Sequence, residues 1–279
     1  MLFFKKKKVK IGLALGGGGT RGFAHIGALK AFEEHGIEFD AVAGTSVGSL
    51  VGAFYCAGYT ADQLYEIGKN VKEKEIRSSK LIFMPSKTEG LENVIIRELG
   101  DIDIKDLKKE FYAVTVDMKT TEELHISQGN LAKAVAGSCA VPGIFAPVIF
   151  EDKILSDGGL TNTLPSNVLK LHNCDYVVAI DINPSRTYGT DSTKVVDILA
   201  CSIRILMKSN VVKGYIYADV LIKPDTKRFK ASKKDGYEEM VEEGYKAALE
   251  QIDNIKELFK KKKLSKRKFK KFINENNKF

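Results

Sequence analysis

Only four cysteines occur in the 279 residues, and Cys56, Cys139, Cys174 and Cys201 stand too far apart for a Cys-x-x-Cys or zinc-ligand pattern. That spacing excludes a disulfide framework and predicts buried, small apolar side chains in a reducing compartment. Histidine is equally scarce, with His25, His35, His125 and His172 as the whole supply. No secretory leader is expected: Leu2-Phe3-Phe4 is too short for an apolar core, and its lysines follow it when they should precede it. One stretch, Ala41–Ala61, lacks charge and places Gly44, Gly48 and Gly52 at four-residue spacing, as in a membrane helix with a small-residue face. Its load of Gly, Ser, Thr and Tyr argues against a spanning helix. No internal repeat is visible.

Charge is abundant but uneven. The net charge is +8, yet residues 1–10 alone hold five lysines and no acid. Residues 256–279 hold eleven basic residues against Glu257 and Glu275. Residues 11–255 are therefore mildly acidic, at −6. The basic character belongs to the ends, and three segments are expected: an N-terminal extension over 1–9, a folded domain over 10–255, and a lysine-rich tail over 256–279. The apolar share of 44% suits one α/β domain with a proper core.

The apolar runs alternate in type. Val9–Leu15 reads as a buried strand ending in four glycines, and Phe23–His35 as a helix closed by Gly36. Asp40–Ala43 is a second strand, followed by a turn and a helix through about Cys56. Strand, helix, strand, helix predicts a mainly parallel sheet covered on both faces, a three-layer α/β/α arrangement. Residues 60–110 read as amphipathic helices suited to a cap over the site. Phe111–Val116, Asp175–Asp181 and Asp219–Ile222 are further strands. Leu131–Cys139 is a helix stopped by Val141-Pro142-Gly143, Val148–Leu155 a hairpin, and Tyr237–Phe259 one amphipathic helix.

Two glycine-rich turns carry the chemistry. Gly44-Thr45-Ser46-Val47-Gly48 lies between a strand and a helix, where a sharp elbow projects the serine hydroxyl at the carboxyl end of the sheet. Gly44 and Gly48 omit the Cβ atoms that would clash there, and the helix start favours negative charge beside Ser46. The second turn, Gly16-Gly17-Gly18-Gly19-Thr20-Arg21-Gly22, exposes backbone N–H groups that suit either a dinucleotide cradle or an oxyanion hole. A ribose-binding acid belongs at the carboxyl end of the second strand. Asp40 precedes that strand, which argues against the cofactor, and the absence of Gly-Lys-Ser/Thr excludes a P-loop. Both turns then emerge at one sheet edge.

The base is not decided by local pattern. None of the four histidines sits in a recognisable triad loop. Asp157-Gly158-Gly159 places a carboxylate on a glycine turn after an apolar strand, a pattern shared by catalytic acids and ordinary hairpins.

Taken in order, Gly17-Gly18-Gly19-Thr20-Arg21-Gly22, Gly44-Thr45-Ser46-Val47-Gly48 and Asp157-Gly158-Gly159 resemble the motifs of the patatin-like phospholipases, in their compact bacterial branch. Phe23–Leu29 and Ser138–Phe145 are similar to that family too, and the likeness runs from about Lys10 to Asp181 and more loosely to about Ala248. The resemblance implies a Ser46–Asp157 dyad without a catalytic histidine. It also implies an oxyanion hole from Gly17, Gly18 and Gly19 with Arg21 positioning it, and supporting roles for Gly22, Gly44, Gly48, Gly158 and Gly159. Substrates would be acyl esters of phospholipids, lysophospholipids or related lipids, cleaved without metal or cofactor. Two rivals stand beside this expectation: a Ser–His–Asp carboxylesterase, and a non-catalytic lipid-binding or regulatory protein on the same fold. For partners, Lys5–Lys8 and Lys260–Lys271, interleaved with apolar residues, match anchors for an anionic membrane surface as well as solvated tails. No nucleic acid is expected, because no recognition motif accompanies the charge. The expected location is cytoplasmic, peripheral at the inner membrane surface if the lysines engage it.

Overall fold

The computed structural model describes residues 9–76, 85–183, 189–230 and 236–262. The expected anchors Lys5–Lys8 and the part of Lys260–Lys271 beyond Lys262 lie outside the described residues. In chain order the main elements begin with β1 (Ile11–Leu15), α1 (Phe23–Glu34), β2 (Ala41–Thr45) and α2 (Val47–Ala57). Helices α3 (Ala61–Asn70), α4 (Glu73–Ile76) and α5 (Glu89–Leu99) precede β3 (Glu110–Asp117), β4 (Glu123–Ile126) and α6 (Leu131–Ser138). Next come β5 (Val148–Phe150), β6 (Lys153–Asp157), α7 (Ser166–Leu171) and β7 (Tyr176–Ile180). The chain continues with α8 (Val195–Ser209), α9 (Val211–Tyr217), β8 (Val220–Ile222) and α10 (Tyr237–Leu249), and a last helical stretch covers 252–262.

Eight strands among the described residues form one sheet, and β3, β2, β1, β7 and β8 run parallel through its centre. Alternation along these buried strands builds two cores. Leu13, Val42, Phe111 and Val178 point into one, beneath α1, α2, α6 and α10. Ala14, Ala43, Tyr112 and Val177 point into the other, with Leu164, Val168 and Leu169 from the α7 side. Helices therefore cover both faces, and the layering is α/β/α. The helices of 60–110 pack on α1 and α6.

Strand β3 explains the convergence of distant segments. Its residues 113–116 pair with β4 along one edge. On the opposite edge Glu110–Val114 pair with β2, and Thr115–Asp117 pair with β6. Strands β2 and β6 thus share one edge of β3 end to end: Thr45 lies opposite Val114, and Asp157 opposite the next residue, Thr115.

The single helix expected over Tyr237–Phe259 is two. A turn at 250–251 interrupts it and re-aims the following residues, so that Ile252, Ile255 and Leu258 are buried. This stretch runs past residue 256, where the tail was expected to start, and Lys262 Nζ pairs with Asp40. Asp40 Oδ2 also accepts the Ile11 N–H at 2.8 Å, at the amino end of β1 and away from the glycine turn. Among the described residues no helix is long and apolar enough to cross a membrane.

Candidate active site

Ser46 follows the last residue of β2, where the chain must turn into α2 because β6 occupies the continuing edge of β3. Its backbone is left-handed, at φ 54° and ψ −127°. A non-glycine residue at such angles carries about 1–3 kcal/mol of strain, held only because its surroundings fix it. The Ser46 carbonyl accepts from Ser49 N at 2.8 Å and Ser49 Oγ at 2.7 Å. Its N–H donates to Ser138 Oγ at 2.9 Å, and Ser138 donates on to Val114 O at 2.6 Å. Backbone approach dictates the flanking glycines: a Cβ at Gly44 would lie 2.4 Å from Gly48 O, and one at Gly48 would lie 2.1 Å from Leu15 O.

Asp157 ends β6 and is wholly buried. Its Oδ1 accepts the Gly159 N–H at 2.7 Å, while Oδ2 has no partner at full hydrogen-bond geometry. Burial pushes the carboxyl up from 3.8 to about 6, with the Gly159 N–H and the Ser46 hydroxyl pulling the other way. The Ser46 hydroxyl is thus a neighbour of the Asp157 carboxyl. Gly158 is required by close packing, because a Cβ there would sit 2.2 Å from Val114 O.

The glycine turn lies against Ser46, with an added Cβ at Gly17 falling 3.3 Å from Ser46 Cβ. Three successive carbonyls of the turn are held by side chains. His25 Nε2 holds Gly16 O at 2.8 Å, Asn183 Nδ2 donates to Gly17 O, and Arg21 Nε donates to Gly18 O at 3.2 Å. Since each peptide is planar, fixing the carbonyl of one residue fixes the N–H of the next. His25 thereby sets the Gly17 N–H, which donates to Thr163 O at 3.0 Å. Asn183 sets the Gly18 N–H and Arg21 the Gly19 N–H. Gly17, expected among the oxyanion donors, thus has its N–H engaged by Thr163 O. Gly22 closes the turn onto α2, since a Cβ there would meet Val47 Cγ2 at 2.3 Å.

Each histidine has another occupation. His25 is fully buried and burial lowers it to about 4, so it is neutral, with its Nε2–H given to Gly16 O. His35 Nδ1 bonds Ala31 O, His125 Nε2 bonds Glu123 Oε1, and His172 stacks on Tyr112 at 4.0 Å. Sequence reasoning missed three residues here: Ser138, Asn183 and Cys139. Cys139 was expected to be only a buried apolar filler. Its thiol lies against Ser46 and Ser49, and burial, then the Asp157 charge, push its pKa up. Asn183 had one available signal, since it follows the carboxyl end of β7, at the edge where the glycine turn emerges. Among the described residues no group of three or more His, Cys, Asp or Glu is placed to hold a metal ion.

A family model described as patatin-like phospholipase matches residues 13–170. An uncharacterized NTE family protein of Mycobacterium tuberculosis (strain ATCC 25618 / H37Rv) is 31% identical over 183 residues, covering 63% of this chain and 50% of that protein. A lysophospholipase, nte1, of Aspergillus fumigatus is 33% identical over 191 residues, covering 64% of this chain and 12% of that protein. The chain therefore spans half the length of the mycobacterial relative and a small part of the fungal one. Among solved structures, VipD from Legionella pneumophila superposes with a TM-score of 0.63 at 13% identity, over 89% of this chain and 67% of that one. That is a likeness of fold.

Proposed function

The chain belongs to the patatin-like phospholipase family, and from that premise we propose that it hydrolyses acyl esters of phospholipids, lysophospholipids or related lipids, with Ser46 as nucleophile and Asp157 as base. The observation that carries the reading is the shared edge of β3, which brings Ser46 and Asp157 together beside the glycine turn. In the first half-reaction the Asp157 carboxylate takes the Ser46 proton as Oγ attacks the ester carbonyl. The N–H groups of Gly18 and Gly19 receive the developing oxyanion, a contribution of about 3–4 kcal/mol per well-placed donor. Collapse of the tetrahedral species breaks the ester bond. The Asp157 carboxylic acid returns its proton to the leaving oxygen, and the acyl group stays on Ser46. Water then attacks this acyl-enzyme as Asp157 accepts its proton, the bond to Ser46 Oγ breaks, and Asp157 returns the proton to Oγ as the fatty acid leaves.

A carboxyl at about 6 suits both halves of this cycle. It is ionised at neutral pH, yet a better proton acceptor than an ordinary aspartate. Proton transfer, attack and oxyanion binding are each assigned to groups of the chain, so the scheme calls for no metal or cofactor. His25 argues against a triad, because its N–H already serves the glycine turn.

Labelling with a fluorophosphonate, followed by turnover of a phospholipid and lysophospholipid panel, tests the reading. The wild-type chain is expected to label and turn over, and Ser46→Ala to do neither. Retained esterase activity in Ser46→Ala refutes the nucleophile. A wild-type chain that neither labels nor turns over any lipid ester favours a non-catalytic role on the same fold.

A further inference from the structure

Among the described residues, helix α8 carries more exposed large apolar side chains than any other element, and α9 beside it continues the pattern with Val212 and Ile216. Val195, Ile198, Leu199, Ile205 and Leu206 recur at intervals of three, one, six and one, which places them on one stripe of the helix. In water such a stripe turns toward protein. Here those five side chains are 45–73% exposed, and Cys201 is the only buried residue of the fifteen. The other face is apolar as well, with Val196, Ala200, Ile203 and Met207 partly buried against the body. A helix apolar on both sides is one that is covered on both sides.

The rim of the stripe indicates what covers it. Lys194, Arg204 and Lys208 are exposed on one flank of it, a flank they share with the one acid within the helix, Asp197, which accepts from Ser192 Oγ. An apolar stripe with a basic border is the pattern of a helix lying in a lipid interface, its aliphatic side chains among acyl chains and its cations on anionic headgroups. A second copy of the chain suits it less, because two such borders brought face to face repel. Position supplies an independent reason. The carboxyl end of α8 is tied to the turn that follows Asp157: Asn210 Nδ2 donates to Leu160 O at 2.6 Å, and Thr163 Oγ1 donates to Met207 O. Met207 Cε lies 2.3 Å from the place a Cβ on Gly159 would take. Only the thickness of one helix, about 10 Å, separates the exposed stripe from the Asp157 turn.

We propose that α8 docks on an anionic lipid surface through Val195, Ile198, Leu199, Ile205 and Leu206, and so presents the Asp157 turn and Ser46 to lipid esters within it. The inference rests on the lipid-ester reading for its purpose, and its test is separable from that reading. Full-length Ser46→Ala protein, which leaves the lipid intact, is co-sedimented with phosphatidylcholine–phosphatidylglycerol vesicles and with phosphatidylcholine vesicles. Leu199→Glu/Leu206→Glu, placed at exposed positions, is expected to lower partitioning about tenfold or more relative to the parent at the same salt concentration. In the Ser46 background the same pair lowers the ratio of vesicle-lipid to soluble-ester hydrolysis. Lys194→Gln/Arg204→Gln/Lys208→Gln lowers the preference for phosphatidylglycerol below that of the parent and provides an independent variant should the glutamate pair fail to fold. Partitioning of the folded glutamate pair equal to that of the parent overturns the proposal. So does light scattering that finds a wild-type dimer made monomeric by that pair. Loss of partitioning in the glutamate pair, in a chain whose wild type hydrolyses no ester, supports the docking surface and refutes the catalytic reading instead.

Discussion

Replacing Asp157 with asparagine should make the protein inactive and should shift its stability relative to wild type in the variant's favour as pH rises through 6. In the folded chain the carboxyl titrates near 6, against an ordinary 3.8, because burial disfavours its charge. A folded-state pKa raised above the unfolded value means that the folded state holds the proton more tightly. That stability is present in full below pH 3.8 and is lost as pH rises through 6. A shift of about two units corresponds to roughly 3 kcal/mol, at about 1.4 kcal/mol per unit. Asparagine keeps the acceptor for the Gly159 N–H but carries no charge, so it escapes the loss. Its amide brings two donors into a buried place, a cost independent of pH in this range. The quantity to measure is therefore the difference in unfolding free energy between variant and wild type, by equilibrium urea denaturation at steps from pH 4 to pH 8. Over that range we expect the difference to grow in favour of asparagine by about 2.5 kcal/mol, most of it between pH 4 and 6. His25, lowered to about 4, titrates in both proteins and cancels. A difference that stays flat with pH refutes the argument that Asp157 is a destabilised, titrating carboxylate.

The same titration governs turnover: kcat/KM on a soluble ester should rise tenfold per unit below about 6 and level above it, and a profile flat from pH 5 to 8 removes Asp157 as the base. Asn183→Ala frees the Gly17 carbonyl and lets the Gly18 N–H drift, so kcat should fall about tenfold with KM little changed. An unaltered kcat shows that the Gly18 amide is not a donor to the oxyanion. Gly27→Ala and Gly244→Ala each force a methyl group to within 2 Å of backbone oxygen, at 1.8 Å from Val241 O and 1.9 Å from Ala24 O. Each should destabilise the protein by about 3 kcal/mol in urea unfolding, and a loss below 1 kcal/mol means that α1 and α10 separate more readily than this contact implies.

Local pattern revealed the central strands and both glycine turns, because a buried parallel strand is an apolar run and a tight turn needs glycine. It left Asp157 ambiguous for a physical reason. Asp-Gly marks ordinary hairpins equally well, and what brings Asp157 to Ser46 is a register on β3, set by pairings between segments far apart in sequence. The clamps on the glycine turn were hidden similarly, since Asn183 and His25 act on backbone carbonyls and leave no motif. The absence of a cofactor acid had a clear counterpart, with Asp40 at the amino end of β1. Helix α8 escaped notice because it is apolar on two faces, which erases the periodicity that identifies a surface helix. The break after Leu249 escaped for the opposite reason: the apolar spacing continues through it, and only the need to bury Ile252 and Ile255 turns the chain.

The close approach of α1 and α10, at Gly27 against Val241 and Gly244 against Ala24, bears on the order of events during synthesis. Helix α1 follows directly on the glycine turn and contributes His25 to it, and its largest partner is α10. A ribosome makes α1 early and α10 some two hundred residues later, a delay of roughly 10–40 s at ordinary rates of elongation. Through that interval α1 has no backbone to rest Gly27 against, and nothing presses the turn toward Ser46 from outside. On the catalytic reading proposed above, the nascent chain would carry Ser46 well before the glycine turn is braced by α10, and activity would follow the docking of that helix.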